Sequence, residues 1–209
     1  MRSAVIARQS SPPSENTRHG WLLGEGQVGD LVSKVTAIKD WKLAFHHANT
    51  PIDDFAALLS DATVYQFMAN PSRDLEGVRT LATALMLNGI AIGISGSSRP
   101  ASGSEHLISH ALDAVSAHPK LHGLQVGTAS YVVSLLQKYE TERIASVLDH
   151  TGFWEEIRHS PFSLQEWRDA VRRAPSIKNN YYTVLSTRDC ASEIEAIVRD
   201  DPRLMGCFI

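Results

Sequence analysis

The stretch SSRPASGSEHLISHALDAVSAHPKLHG, residues 97–123, decides how the chain reads. A polar loop with helix breakers runs directly into a helical pattern from about residue 104, which ends at a second loop around Pro119. Four histidines, His106, His110, His118 and His122, fall within seventeen residues. His106 and His110 are four apart, so a helix sets them on one face about 6 Å apart. That spacing suits two ligands of one ion and equally suits two surface polar groups. One unbroken helix would carry His122 roughly 24 Å from His106 at ~1.5 Å per residue, too far to share an ion. Pro119 removes that difficulty. It cannot continue the helix and it pushes His118 toward an extended conformation, so the chain can fold back and begin a new helix near His122–Gly123. A catalytic metal site would need a third ligand from elsewhere, commonly a His or a carboxylate, and an open position for water or substrate.

Outward from this stretch the pattern is helical almost everywhere. Upstream, Leu75, Val78, Leu81, Leu85 and Leu87 mark a helix from about Arg73 that becomes apolar nearly all round, which predicts the central buried helix. Before it, Pro51 at a first-turn position, Asp53, Asp54 and the stripe Phe55, Leu58, Leu59, Val64 and Phe67 predict a helix that stops near Asn70–Pro71. A first helix starts near Gly26, with Val28, Leu31, Val35, Ile38 and Leu43 at helical spacing. Downstream, helices are expected over 121–139, 141–148, 164–173 and 192–199, and only 181–185 leans toward a strand. The fold class is all-α. Residues 1–25, rich in Ser, Pro, Arg and Asn without sustained period, read as a poorly ordered leader, and 26–209 as one helical domain.

A net charge of -3, a pI near 6.3 and the lack of any Lys/Arg-rich run argue against nucleic acid as a partner. Cys190 and Cys207 lack a CxxC context and fit a reducing compartment. The apolar run from Thr80 to Ile94 is interrupted by Asn88 and glycines and falls short of the ~20 residues of a membrane span. With no signal-peptide pattern at the start, the expectation is a soluble cytoplasmic protein without membrane contact.

Three separated segments then carry a family resemblance. GSSRPASGSEHLISH (96–110), the string His122-Gly123-x-Gln125-Val126-Gly127, and GDLVSKVTAIKDWKLA (29–44) resemble motifs of the glycerol-1-phosphate dehydrogenases. These belong to a superfamily with iron-containing alcohol dehydrogenases, glycerol dehydrogenases and dehydroquinate synthases. The resemblance implies a helical dehydroquinate synthase-like C-terminal domain in which Asp30, His106 and His122 bind zinc, nickel or iron. His110 would lie beside the metal, near the nicotinamide or the substrate. In such an enzyme the ion acts as a Lewis acid on a carbonyl or alkoxide oxygen while NAD or NADP exchanges hydride.

For a small phosphorylated polyol or ketose, Ser97, Ser98, Arg99 and Ser102 offer hydroxyls, backbone N–H groups and a guanidinium near a helix start. A capping turn with a solvated Arg explains the same residues. Lys34, one turn past Asp30, could face the same pocket or solvent. Leu124 departs from the Glu common in the family's HGE-x-VG. No GxGxxG or similar loop precedes Gly29, so the resemblance covers only the catalytic half of a family enzyme. A separate nucleotide-binding subunit, a homo-oligomer, a non-catalytic metal or phospho-ligand module, and a lyase related to dehydroquinate synthase are the readings that follow. An exposed apolar face is expected where a missing domain would dock.

Overall fold

Helix α5 (His122–Gln137) is the axis of the fold, with Val126, Ala129, Val132 and Val133 fully buried along it. A computed structural model describes residues 15–209, and their side chains from residue 26 onward. Around α5 lie α1 (Glu15–Ala48), α2 (Asp54–Ala69), α3 (Leu75–Ser95), α4 (Ser104–Val115), α6 (Thr141–His150), α7 (Phe153–His159), α8 (Leu164–Arg173) and α9 (Ala191–Asp200). Among the described residues there is no strand, only one isolated parallel bridge between Phe162 and Phe208. The chain is all-α, as its periodicity implies. Residues 181–185 lead instead into a 3-10 turn, Val184–Ser186, so the strand expectation is corrected.

The helix starts follow from side-chain capping. Asp53 accepts from the Ala56 N–H at 2.8 Å and Asp74 from the Gly77 N–H at 2.9 Å, each satisfying a donor that has no partner within the helix. Pro51 therefore stands ahead of α2 and not in its first turn. At the other end of α3, Gly96 takes a left-handed conformation, φ 60°, and turns the chain into the 97–103 loop. Helix α1 begins at Glu15 and not near Gly26. Of the leader expected over 1–25, residues 1–14 lie outside the described residues. Helix α7 has no counterpart among the helices expected from sequence; its seven residues are too few to display a period.

The core joins α1 (Val28, Leu31, Val32, Val35) to α5, and an aromatic group closes its far side. There Tyr131 meets Trp154 edge-on at 5.4 Å and Phe162 lies 5.1 Å from Trp167. Helix α3 is not the central buried helix that its composition predicts. Only Gly77, Leu81, Ala84, Asn88 and Ala91 are buried, and the helix turns Leu75, Val78, Met86 and Ile90 to solvent. The reason is packing order: α3 rests on α2 and, through Ala91, on Ile38 and Trp41 of α1, and its opposite side is left uncovered among the described residues. The chain thus has an apolar face exposed along α3. Helix α3 is also the one helix among the described residues long and apolar enough to cross a membrane, contrary to the reading of its run as too short. Its buried Asn88 bonds to Ser60 and Thr63 of α2, at 2.8 Å each, and ties it to the protein.

Candidate metal centre

The site forms where α1 and α5 touch backbone to backbone. A side chain added at Gly29 would run into the Gly123 carbonyl, and one at Gly123 into the Gly26 carbonyl. A Cβ at Gly127 would stand 2.8 Å from the Gly29 Cα. Only glycine permits this approach. It brings Asp30, the residue after Gly29, beside His122, the residue before Gly123. The His122 Nε2 lies 3.6 Å from the Asp30 Oδ1.

Helix α4 delivers the second imidazole. Its first N–H groups are held by carboxylates: Ser104 N–H donates to the Asp40 Oδ2 of α1 at 2.7 Å, and Gly103 N–H to the Glu105 Oε1 at 2.6 Å. With its start anchored on α1, α4 presents His106 in its first turn, and the His106 Nε2 lies 3.9 Å from the Asp30 Oδ1. One ligand atom from each of Asp30, His106 and His122 lies within 4.8 Å of the others. An ion bound at about 2.0–2.2 Å in tetrahedral geometry would need ligand atoms about 3.4 Å apart. Small side-chain movements close that gap, and two imidazoles with one carboxylate suit a borderline divalent cation.

The reversal at Pro119 is clamped by Gln125, whose Nε2 donates to the Lys120 carbonyl and to the Asp113 carboxylate, both at 2.8 Å. This gives Gln125 of the HG-x-QVG string a physical task. Both imidazole rings are held at Nδ1: His106 by Glu105 at 3.0 Å and His122 by the Ser109 hydroxyl at 3.1 Å. Their Nε2 atoms are thereby left toward Asp30. Burial, reinforced by the charge of Lys34, pushes the pKa of His106 well below its ordinary value, partly opposed by Asp30. This shift favours the neutral ring, the form that binds a metal.

His110 stands outside the triad, its ring centroid 6.3 Å from that of His106 and 5.8 Å from that of His122. Burial lowers its pKa, and Lys178 and His122 add to the effect. Lys34 is buried and not solvated. Its Nζ donates to the Ala101 carbonyl at 3.2 Å and to the Ser33 hydroxyl at 3.1 Å, and burial lowers its pKa against the pull of Asp30 and Glu105.

The four loop residues divide. Arg99 is buried, donates to the Tyr182 carbonyl at 2.6 Å and lies 3.7 Å over the Tyr181 ring, so it is neither solvated nor free to extend. Ser97 caps the Arg99 N–H at 3.2 Å. Ser102 is buried, its carbonyl accepting from the Tyr181 hydroxyl at 2.6 Å. Ser98 alone meets a second cation, with Lys178 Nζ at 3.5 Å and the Tyr181 hydroxyl at 3.2 Å. Lys178 and Glu105 carry no signal that sequence reasoning could use. Lys178 stands in the bend that follows a short 3-10 turn, Ala174–Ser176, far along the chain, and Glu105 reads in sequence as an ordinary first-turn acid. Leu124, the departure from the family pattern, is buried in the core.

No family model matches the chain. Individual relatives do. A glycerol-1-phosphate dehydrogenase [NAD(P)+] of Pyrococcus furiosus is 35% identical over 178 residues, which cover 81% of this chain and 51% of that protein. The protein of the same name from Thermococcus sibiricus is 40% identical over 165 residues, 76% of this chain and 46% of the relative. The one from Methanosphaera stadtmanae is 34% identical over 169 residues, 78% and 48%. The chain is thus a relative of the glycerol-1-phosphate dehydrogenases, and it spans about half the length of the curated relatives it matches.

Proposed function

We propose that the chain is the metal-holding half of an NAD(P)-linked oxidoreductase of the glycerol-1-phosphate dehydrogenase type, interconverting glycerol 1-phosphate and dihydroxyacetone phosphate. The carrying observation is the convergence of Asp30, His106 and His122 from three helices to within 4.8 Å. These residues would hold zinc, nickel or iron. A bound ion would supply Lewis-acid polarisation of the substrate's C2 oxygen, and a nicotinamide presented by a nucleotide-binding half would exchange hydride at C2. Asp30 offsets the ion's charge, and Lys34 beneath it keeps the buried carboxylates from standing unbalanced. His110, neutral and half-exposed beside the triad, is within reach of a substrate hydroxyl and could accept its proton. Ser98 and Lys178 form the phosphate end, with Ser97, Arg99 and Ser102 shaping the loop around them. The nucleotide-binding half is either a separate subunit or sequence beyond this chain, and the free, buried Cys190 and Cys207 accord with a reducing, cytoplasmic setting.

The half-length match favours a second reading, a metal or phospho-ligand module without catalysis of its own. Titration calorimetry with zinc should give one ion per chain, lost in His106→Ala, His122→Ala and Asp30→Ala; a wild-type chain that takes up no divalent ion at neutral pH would rule out both forms of the metal reading. NADH oxidation with dihydroxyacetone phosphate, measured on the chain together with its nucleotide-binding half, separates the two: turnover that is lost in His106→Ala favours the oxidoreductase, whereas zinc and dihydroxyacetone phosphate binding without turnover favours the module.

A further inference from the structure

We propose that Glu105 is a positioning residue for the metal centre: its carboxylate takes the Nδ1–H of His106 and so fixes the ring with Nε2 turned toward Asp30 and His122. The inference rests on the metal reading above and adds to it a residue outside the ligand set. Glu105 is fully buried, and its Oε1 lies 3.0 Å from the His106 Nδ1. The same oxygen already accepts the Gly103 N–H at 2.6 Å, while Oε2 faces the Thr36 hydroxyl at 2.9 Å. An oxygen engaged as acceptor by a backbone donor acts as acceptor toward the ring as well, which places the imidazole hydrogen on Nδ1.

His122 provides the contrast. Its Nδ1 faces the Ser109 hydroxyl, a group able to donate or accept, which leaves that ring's tautomer open. Only the His106 ring is dictated. A carboxylate behind an imidazole also makes the opposite nitrogen a stronger donor to a metal. Helix α4 begins on this arrangement: the carboxylate that satisfies its Gly103 N–H is the one that aims its first histidine. A single residue therefore couples helix start to ligand orientation.

The test joins two measurements. In the metal-free chain with ¹⁵N-labelled histidine, nitrogen shifts should show His106 as the Nδ1–H tautomer in the wild type and as a mixture in Glu105→Met. Zinc calorimetry should show affinity falling about 10–100-fold in Glu105→Met. Most of it should return in Glu105→Gln, whose amide oxygen can still accept from the ring. Metal-free melting curves run beside these keep a folding defect from passing as lost affinity. An Nε2–H tautomer in the wild type overturns the inference, as does wild-type zinc affinity in Glu105→Met; should that variant not fold, the wild-type tautomer alone decides. A wild-type chain with the Nδ1–H tautomer that binds no zinc would defeat the metal reading and the purpose assigned to Glu105, while leaving its hold on the ring intact.

Discussion

The α1–α4–α5 junction and the α2–α3 pair are built from similar residues and face opposite ways. At the junction, glycines vanish into a helix crossing with no room for a methyl group, and carboxylates hold helix N–H groups and a histidine. On α3, Gly89 and Gly93 have open space where a Cβ would be, among exposed Met86, Ile90 and Ile94. The difference teaches that neither glycine nor apolar content has meaning apart from the neighbour it meets. The junction is complete within the chain. The outer α3 face is bare among the described residues, with Leu75, Val78, Met86 and Ile90 exposed.

The comparison breaks first at Gly123. In Gly123→Ala the new methyl meets the Gly26 carbonyl, so α1 and α5 must separate and take Asp30 away from His122. Urea unfolding should show a loss of about 3 kcal/mol or more, at the upper end for overpacked interiors. Zinc binding should vanish with it. Gly26→Ala is the internal control, since its methyl would lie 3.9 Å from the Gly123 Cα, an ordinary contact. Equal tolerance of both substitutions would mean that the crossing is looser than described.

A second effect of the closed junction is a pH dependence. Asp40 is fully buried, and burial, with the nearby charge of Glu105, raises its pKa from 3.8 to about 6 against the hydrogen bonds from Ser104 and Val184. The folded chain thus holds this proton more tightly than the unfolded chain. The resulting stabilisation is complete below the unfolded value of 3.8 and is lost as pH rises through about 6. Relative to Asp40→Asn, the wild type should therefore lose about 3 kcal/mol between pH 3.5 and pH 7, at about 1.4 kcal/mol for each pH unit between the unfolded and folded values. Denaturant curves for the two proteins that stay parallel across this range would show that Asp40 titrates as an exposed carboxylate does.

Much of this is legible in the sequence, and the parts that are not share a cause. Local signals carry the break at Pro119, the helix restart near His122 and the helix start around Asp53. The triad members can be named from the motifs, but spacing alone cannot bring Asp30 to the histidines, because that contact is made by a helix crossing. Helix α3 misleads because apolar content reports what a helix could bury, and its burial depends on which elements pack beside it. Lys178, 80 residues from Ser98, and Arg99, drawn into the Tyr181 ring, are beyond reach for the same reason.

The smallest effect sharpens the comparison on its open side. Gly89 lies within α3, exposed, with nothing within 4 Å of the place a methyl group would occupy. Alanine restricts the unfolded chain more than glycine does and costs the folded helix nothing here, so Gly89→Ala should raise stability by about 0.8 kcal/mol. The sign is opposite to that at Gly123 for the same chemical change. A measured loss would mean that the α3 face approaches another surface closely in solution, as in a self-associated form. Sedimentation of the variant beside the wild type would then reveal it as a shift in mass. A gain in stability at unchanged mass would leave the α3 face open, with its apolar residues free for whatever covers them.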